Sequence, residues 1–274
     1  MRGLWLAMCL ALAAFASPAL AAPQRIVSLD MCADQMVLRL ADRSQIAALS
    51  TEVDRGYVSA GLAAAGLKRI RPRLEDVLAL RPDLIVRGYG GDSRSGDAFR
   101  RVGVAMRQLD FPDDLAGVRA NVAAAAAAFG QGARGAALLG DFDRRLARAQ
   151  SRHPARLRAL YVTAGGATTG PGSLVDAMLR AAGLANAETS AGWRDLPLER
   201  LSRAAPDMIA AAYFGQRHSD TFIWSSARHP LARRLLQDKP VAWLSGGATA
   251  CGGLETIDAI EALAAVRARI EAGR

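Results

Sequence analysis

Few residues in this chain could do chemistry, and their spacing rules out more than it allows. Histidine occurs only at His153, His218 and His229. None lies in the first half of the sequence. A bare Zn or Mn ion gripped between two walls would therefore lack imidazole on one of them. No metal is expected as a direct ligand, and His153-Pro154 and His229-Pro230 read as turn or helix-end residues. Cysteine occurs at Cys9, Cys32 and Cys251, with no CxxC and no zinc spacing. There is no GxSxG elbow, no HExxH, no Gly-rich loop ending in Lys-Ser/Thr and no GxGxxG between a strand and a helix. The stretch GGATTGPGS, Gly165 to Ser173, can make a tight turn between strand and helix or an anion-binding nest. It lacks the lysine of a nucleotide loop. If the protein were a secreted α/β hydrolase or a chelate-processing enzyme, its nucleophile would be Cys32 or Ser173. Either would need a nearby base or a lowered pKa, and the sequence provides neither.

The aromatics point elsewhere. Tyr57, Tyr89, Trp193 and Trp224 fall on segments that read as loops or lead-ins around strands, with Arg94, Arg194 and Arg217 beside them. Aromatic faces and guanidinium groups together suit a large flat or chelate ligand carrying negative charge. Tyr57, Tyr89, Arg94, Trp193, Arg217 and Trp224 are the candidate ligand residues.

The elements that must position them are written twice. LEDVLALRPDLIVRGYG, from Leu74, returns as LERLSRAAPDMIAAAYF, from Leu198. Leu74, Glu75, Pro82 and Asp83 fall on Leu198, Glu199, Pro206 and Asp207. In each copy a short amphipathic helix is broken at proline and runs into a buried apolar strand of the parallel kind. Before the first copy, RIVSL and QIAALS read as strands flanking a helix, and VAMRQL reads as a strand after it. Strand-helix alternation implies right-handed βαβ units and a mainly parallel sheet. From Asp114 to His153 the pattern is helix alone, with Leu138, Leu139, Phe142 and Leu146 on one side. After it ALYVT, DMIAAA and VAWL are strands, and the chain closes in a helix. The fold class is α/β: two lobes of mainly parallel sheet joined by one long helix, with the strand ends facing a shared cleft. The expected divisions are an N-terminal lobe over 22–113, a helical linker over 114–153 and a C-terminal lobe over 154–274.

Residues 1–21 stand apart as a secretory leader: Arg2, an apolar run and ALA at Ala19 to Ala21. The mature chain is expected to be exported to the periplasm and soluble. Cys32 and Cys251 then lie in an oxidising compartment, both after strands, and either bridge the lobes or stay separate. The formal charge of +9 is almost all arginine spread among acids, a solvated surface with no nucleic-acid stripe.

RIVSLDMCADQMVLRLAD followed by LEDVLALRPDLIVRGYGG resembles the periplasmic substrate-binding proteins of ABC importers for iron-siderophores, haem and vitamin B12. The resemblance runs over essentially the whole mature chain. It implies two Rossmann-like lobes, one rigid connecting helix and a ligand held between the lobes. It also implies a monomer without cofactor or catalysis, delivering its chelate to an ABC permease in the inner membrane. Such proteins dock with one surface carboxylate per lobe; Glu75 matches that position, and Glu199 is its repeat counterpart. The tryptophans of a corrinoid wall are absent from the first lobe, where Tyr57 and Tyr89 stand instead.

Overall fold

The computed structural model describes residues 22–54, 64–88, 93–150, 156–213 and 225–273, with the side chains of 93–95 left out. The first lobe is built from β1 (Ile26–Ser28), α1 (Met31–Leu40), β2 (Ile46–Ser50), β3 (Arg69–Ile70), α2 (Leu74–Leu78), β4 (Leu84–Arg87), α3 (Ser93–Arg101) and β5 (Ala105–Gln108). Its sheet is parallel throughout in the order β3-β2-β1-β4-β5. Two helices follow, α4 (Leu115–Ala128) and α5 (Gly132–Ala149).

The second lobe runs through β6 (Arg158–Thr163), β7 (Ala167–Thr169), α6 (Leu174–Ala181), β8 (Ala185–Asn186), β9 (Trp193–Asp195) and α7 (Leu198–Arg203). It continues with β10 (Met208–Ala212), α8 (Pro230–Asp238), β11 (Val241–Leu244), α9 (Gly246–Ala250) and α10 (Thr256–Ala272). The main sheet is parallel in the order β11-β10-β6-β8, while β7 and β9 form a small antiparallel ribbon.

The repeated Pro-Asp does the same thing in both sheets. Asp83 opens β4, and its carboxylate accepts hydrogen bonds from the Gln24 and Arg25 amides at 2.7 and 2.9 Å. Its own N–H donates to the Arg25 carbonyl at 3.2 Å. Asp207 opens β10, accepts from the Arg158 amide at 2.8 Å and returns its N–H to the Arg158 carbonyl at 2.8 Å. Each proline stops the helix, and each aspartate then sets the register of the new strand against the first strand of its lobe.

Elements that periodicity did not reveal are short or polar. α3 reads SRSGDAFRR, with Phe99 its one large apolar residue, fully buried. α9 lies in the glycine-rich stretch after β11, and is started by Ser245, whose hydroxyl accepts from the Ala248 amide at 3.2 Å.

At about 27 Å, α5 spans both lobes. Arg134 near its start donates to the Leu40 carbonyl at 2.7 Å and pairs with Asp42. Arg145, further along, reaches Asp258 and Glu261 on α10, each at 2.6 Å. A single apolar cluster runs from Ile26 and Leu84 through Phe142 and Leu146 to Tyr161 and Met208, so the lobes share a core. The outer faces carry their own clusters, around Ile85 and Phe99 in one lobe and Leu160 and Ile209 in the other.

Candidate ligand cleft

In the first lobe the wall is made where β1 and β4 end. Asp30 caps α1, accepting from the Cys32 and Ala33 amides at 3.0 Å each. The same carboxylate accepts from the Gly88 amide at 2.5 Å, so one side chain pins the turn after β1 to the end of β4. A Cβ at Gly88 would come within 2.8 Å of Asp30 Oδ1, which explains glycine there. One turn further on, Asp34 is wholly buried. Its carboxylate accepts from the Ser28 hydroxyl, and from the Ser50 amide and hydroxyl at 2.9 and 2.6 Å. Burial pushes its pKa up to about 6, against the opposing effect of those hydrogen bonds.

In the second lobe the ribbon of β7 and β9 stands just beyond the carboxyl end of β6. Trp193, whose segment reads as a loop or lead-in, is paired with Thr169 in this ribbon. Its indole is 54% exposed and meets the buried Tyr161 ring edge-on at 6.0 Å. A second exposed indole, Trp243, sits on the edge strand β11 and meets Tyr213 at 5.6 Å. Burial alone pushes the Tyr213 phenol up to about 12.

The GGATTGPGS stretch holds β7 and the start of α6. The Ser173 hydroxyl caps α6 by accepting from the Asp176 amide at 3.2 Å and donates to the Gly170 carbonyl at 2.9 Å. A Cβ at Gly170 would overlap the Ser190 backbone. The buried Asp176 carboxylate in the first turn of α6 is paired with Arg180 at 3.0 Å and accepts from Asn186 Nδ2 at 3.2 Å.

Of the other candidate ligand residues, Tyr57, Tyr89, Arg217 and Trp224 lie outside the described residues, as do His153 and His218. Arg94 is in α3, where its backbone alone is described. His229 caps α8, its Nδ1 accepting from the Leu231 amide at 3.2 Å. Among the described residues no group of three or more His, Cys, Asp or Glu could hold a metal ion.

Glu75 and Glu199 occupy the first turns of α2 and α7, both exposed, with neither carboxylate in a hydrogen bond or ion pair among the described residues. Both helices are too short to hold alone and each is tied down by an arginine. The Arg25 guanidinium closes the end of α2 by donating to the Leu80 carbonyl at 2.6 and 2.9 Å. Arg200, beside Glu199, pairs with the fully buried Glu188.

The family model described as periplasmic binding protein matches residues 26–222, more than half of the chain. The chain belongs to the periplasmic binding protein family. Solved structures agree on the fold. A periplasmic haem-binding protein from Pseudomonas aeruginosa is 23% identical, with TM-score 0.67, covering 89% of this chain and 92% of that one. A periplasmic vitamin B12-binding protein from Vibrio cholerae is 19% identical, with TM-score 0.63, covering 91% and 98%. A siderophore-binding protein, solved with ferric iron and two molecules of acinetobactin, is 18% identical, with TM-score 0.67, covering 88% and 93%. No curated protein matches the chain.

In this member of the family, neither side chain considered as a nucleophile is available. The Cys32 sulfur is bonded to that of Cys251, with the Cα atoms 5.0 Å apart, and the Ser173 hydroxyl serves α6. Sequence reasoning passed over Trp243 and Asp34. Trp243 carried a readable signal, since Ala242 and Leu244 on either side are buried and a half-covered strand exposes every second residue. Asp34 carried none: nothing in a helix such as MCADQMVLRL marks the face that will meet two serines from distant strands.

Proposed function

We propose that this protein is the periplasmic solute-binding component of an ABC importer, and that its ligand is a preformed metal chelate: an iron-siderophore, haem or a cobalamin. The observation that carries the chelate reading is the exposed Trp193 indole, held edge-on by Tyr161 at the cleft end of a parallel sheet. An aromatic face presented to solvent favours a flat or apolar ligand surface and offers little to a hydrated ion. Tyr57, Tyr89, Arg94, Arg217 and Trp224 complete the proposed binding set. The haem, vitamin B12 and ferric-siderophore ligands of the similar structures support the same class. Export with cleavage near Ala21 places the protein in the periplasm, acting as a monomer. No described helix is long and apolar enough to cross a membrane.

Titration of the ligand-free protein with haemin, cyanocobalamin, ferric siderophores and free divalent metals, followed by tryptophan fluorescence, tests this. One of the chelates is expected to quench at micromolar concentration or below, and Trp193→Ala to weaken that binding about tenfold or more, the loss of a stacking contact of about 1.4 kcal/mol. Tight Zn or Mn binding with no chelate bound would overturn the reading.

Glu75 and Glu199 are proposed to dock the two lobes onto the two halves of a permease. Support comes from their equivalence in the repeat and from two exposed carboxylates left unpaired, among the described residues, in the first turns of matching helices. A helix dipole would favour an acid at either position by up to about 1 kcal/mol, but does not ask for the same residue at both. Glu75→Arg or Glu199→Arg should reduce uptake several-fold, and the double change should nearly abolish it, while chelate affinity stays within about twofold of wild type. Intact uptake in the double variant, or lost ligand binding, would remove the assignment.

A further inference from the structure

We propose that the seam between the lobes at the cleft floor, closed by the Cys32–Cys251 bond, presets the width of the cleft, so that the ligand enters between walls already at their working separation. Cys32 is in the first turn of α1, directly after β1, and Cys251 caps the end of α9, directly after β11. The bond thus joins the two lobes at the strand ends that form the cleft floor.

The rest of the seam converges on the same segment of the second lobe, residues 246 to 255. The Gln35 amide lies so close over Gly247 that a Cβ there would overlap it. The Pro112 ring covers Gly252 in the same way, and Gly252 has φ 55°, where a side chain would also be strained. Asn121 Nδ2 bridges the chain crossing, donating to the Asp110 carbonyl at 3.0 Å and the Gly252 carbonyl at 3.4 Å. Arg39 closes the far end with a 2.9 Å pair to Glu255, whose side chain is 3% exposed.

A helix of five residues cannot hold itself, so α9 takes its place from these partners. Noncovalent contacts of this kind open and close locally, and a covalent link at their centre suppresses that opening. Both cysteines are buried, which keeps solution thiols from the bond in the folded state. The bond is therefore a permanent tether and not a redox switch. Its consequence for binding rests on the cleft being the ligand's place, but the rigidity itself is measurable with no ligand present.

The test compares the mature, oxidised protein with its Cys32→Ala/Cys251→Ala variant. Ligand-free amide exchange across residues 246–255 is expected to rise at least tenfold in the variant, with a larger radius of gyration by solution scattering. Haemin, ferric siderophores and cyanocobalamin are then titrated into both proteins, and the variant is expected to bind at least fivefold more weakly. If the variant does not fold in plain buffer, the same comparison is made for both proteins in sucrose, which is excluded from the protein surface and favours the folded state. Equal exchange and equal scattering with and without the bond would overturn the tether, as would two free thiols in protein taken from the periplasm. Failure of every chelate to bind either protein would sink the ligand reading instead, leaving exchange and scattering to decide the seam.

Discussion

Replacing both Cys32 and Cys251 by alanine is expected to cost the protein about 5 kcal/mol of stability, the largest effect of any change away from the core. The residues are 219 apart in sequence, so the bond closes a loop over most of the mature chain. Loop-closure entropy removed from the unfolded ensemble grows slowly with length, and a loop of that size gives about 5 kcal/mol in the chain-entropy picture. Domains are stable by about 5–15 kcal/mol in total, so this is a large share. At roughly 2–4 °C per kcal/mol for a chain of this size, the melting temperature should fall by about 10–20 °C. Thermal and denaturant unfolding of wild type, the double alanine variant and reduced wild type check it. The last two should agree. A shift below 2 °C would mean that the bond is absent or that the unfolded chain gains no freedom from its loss.

Asp34→Asn should act in the opposite direction, stabilising the protein at neutral pH. The folded pKa of about 6 lies above the ordinary carboxylate value near 4 because burial penalises the charge. The folded state therefore binds a proton more strongly than the unfolded state between those values, and stability contributed by this site falls as pH rises through that window. The total is about 3 kcal/mol, all of it lost above pH 6–7. Asparagine keeps an oxygen for the Ser50 amide, and its NH2 can donate to the Ser28 or Ser50 hydroxyl, so the polar contacts survive without the charge. Unfolding midpoints of both proteins from pH 4 to pH 8 should converge near pH 4 and separate by about 2–3 kcal/mol at pH 7. A difference that does not change with pH would show that the Asp34 carboxylate is not the group taking up the proton.

Why a protein would keep so costly a carboxylate follows from its position. Asp34 is on α1 between Cys32, which holds the second lobe, and Val37, which fills the first lobe's core. By gripping Ser28 at the end of β1 and Ser50 at the end of β2, it fixes where α1 leaves the sheet. The seam, the cleft floor and both strand ends thus depend on the placement of one helix.

The sequence by itself determined the architecture. Short apolar runs that follow Pro-Asp and a broken helix read as buried parallel strands, and a phrase repeated with its Leu, Glu, Pro and Asp in register points to two lobes of one design. Local physics was enough because each of these elements carries its own start, stop and apolar face. The long α5 was legible for the same reason, through the spacing of Leu138, Phe142 and Leu146. What tertiary structure alone decided is where pieces without such signals meet. The Cys32–Cys251 pair stood equally open as bridged or separate, since proximity across 219 residues is set by how α1 and α9 pack and by no local pattern. The charge state of Asp34 needs β1, β2 and α1 assembled around it, because burial, which raises its pKa, is a property of the folded neighbourhood. Trp193 was picked out by residue type, yet its exposed, edge-supported face exists only once β9 pairs with β7 and packs it against Tyr161. Periodicity reports which face of an element is apolar; it carries no information on which distant face will cover it.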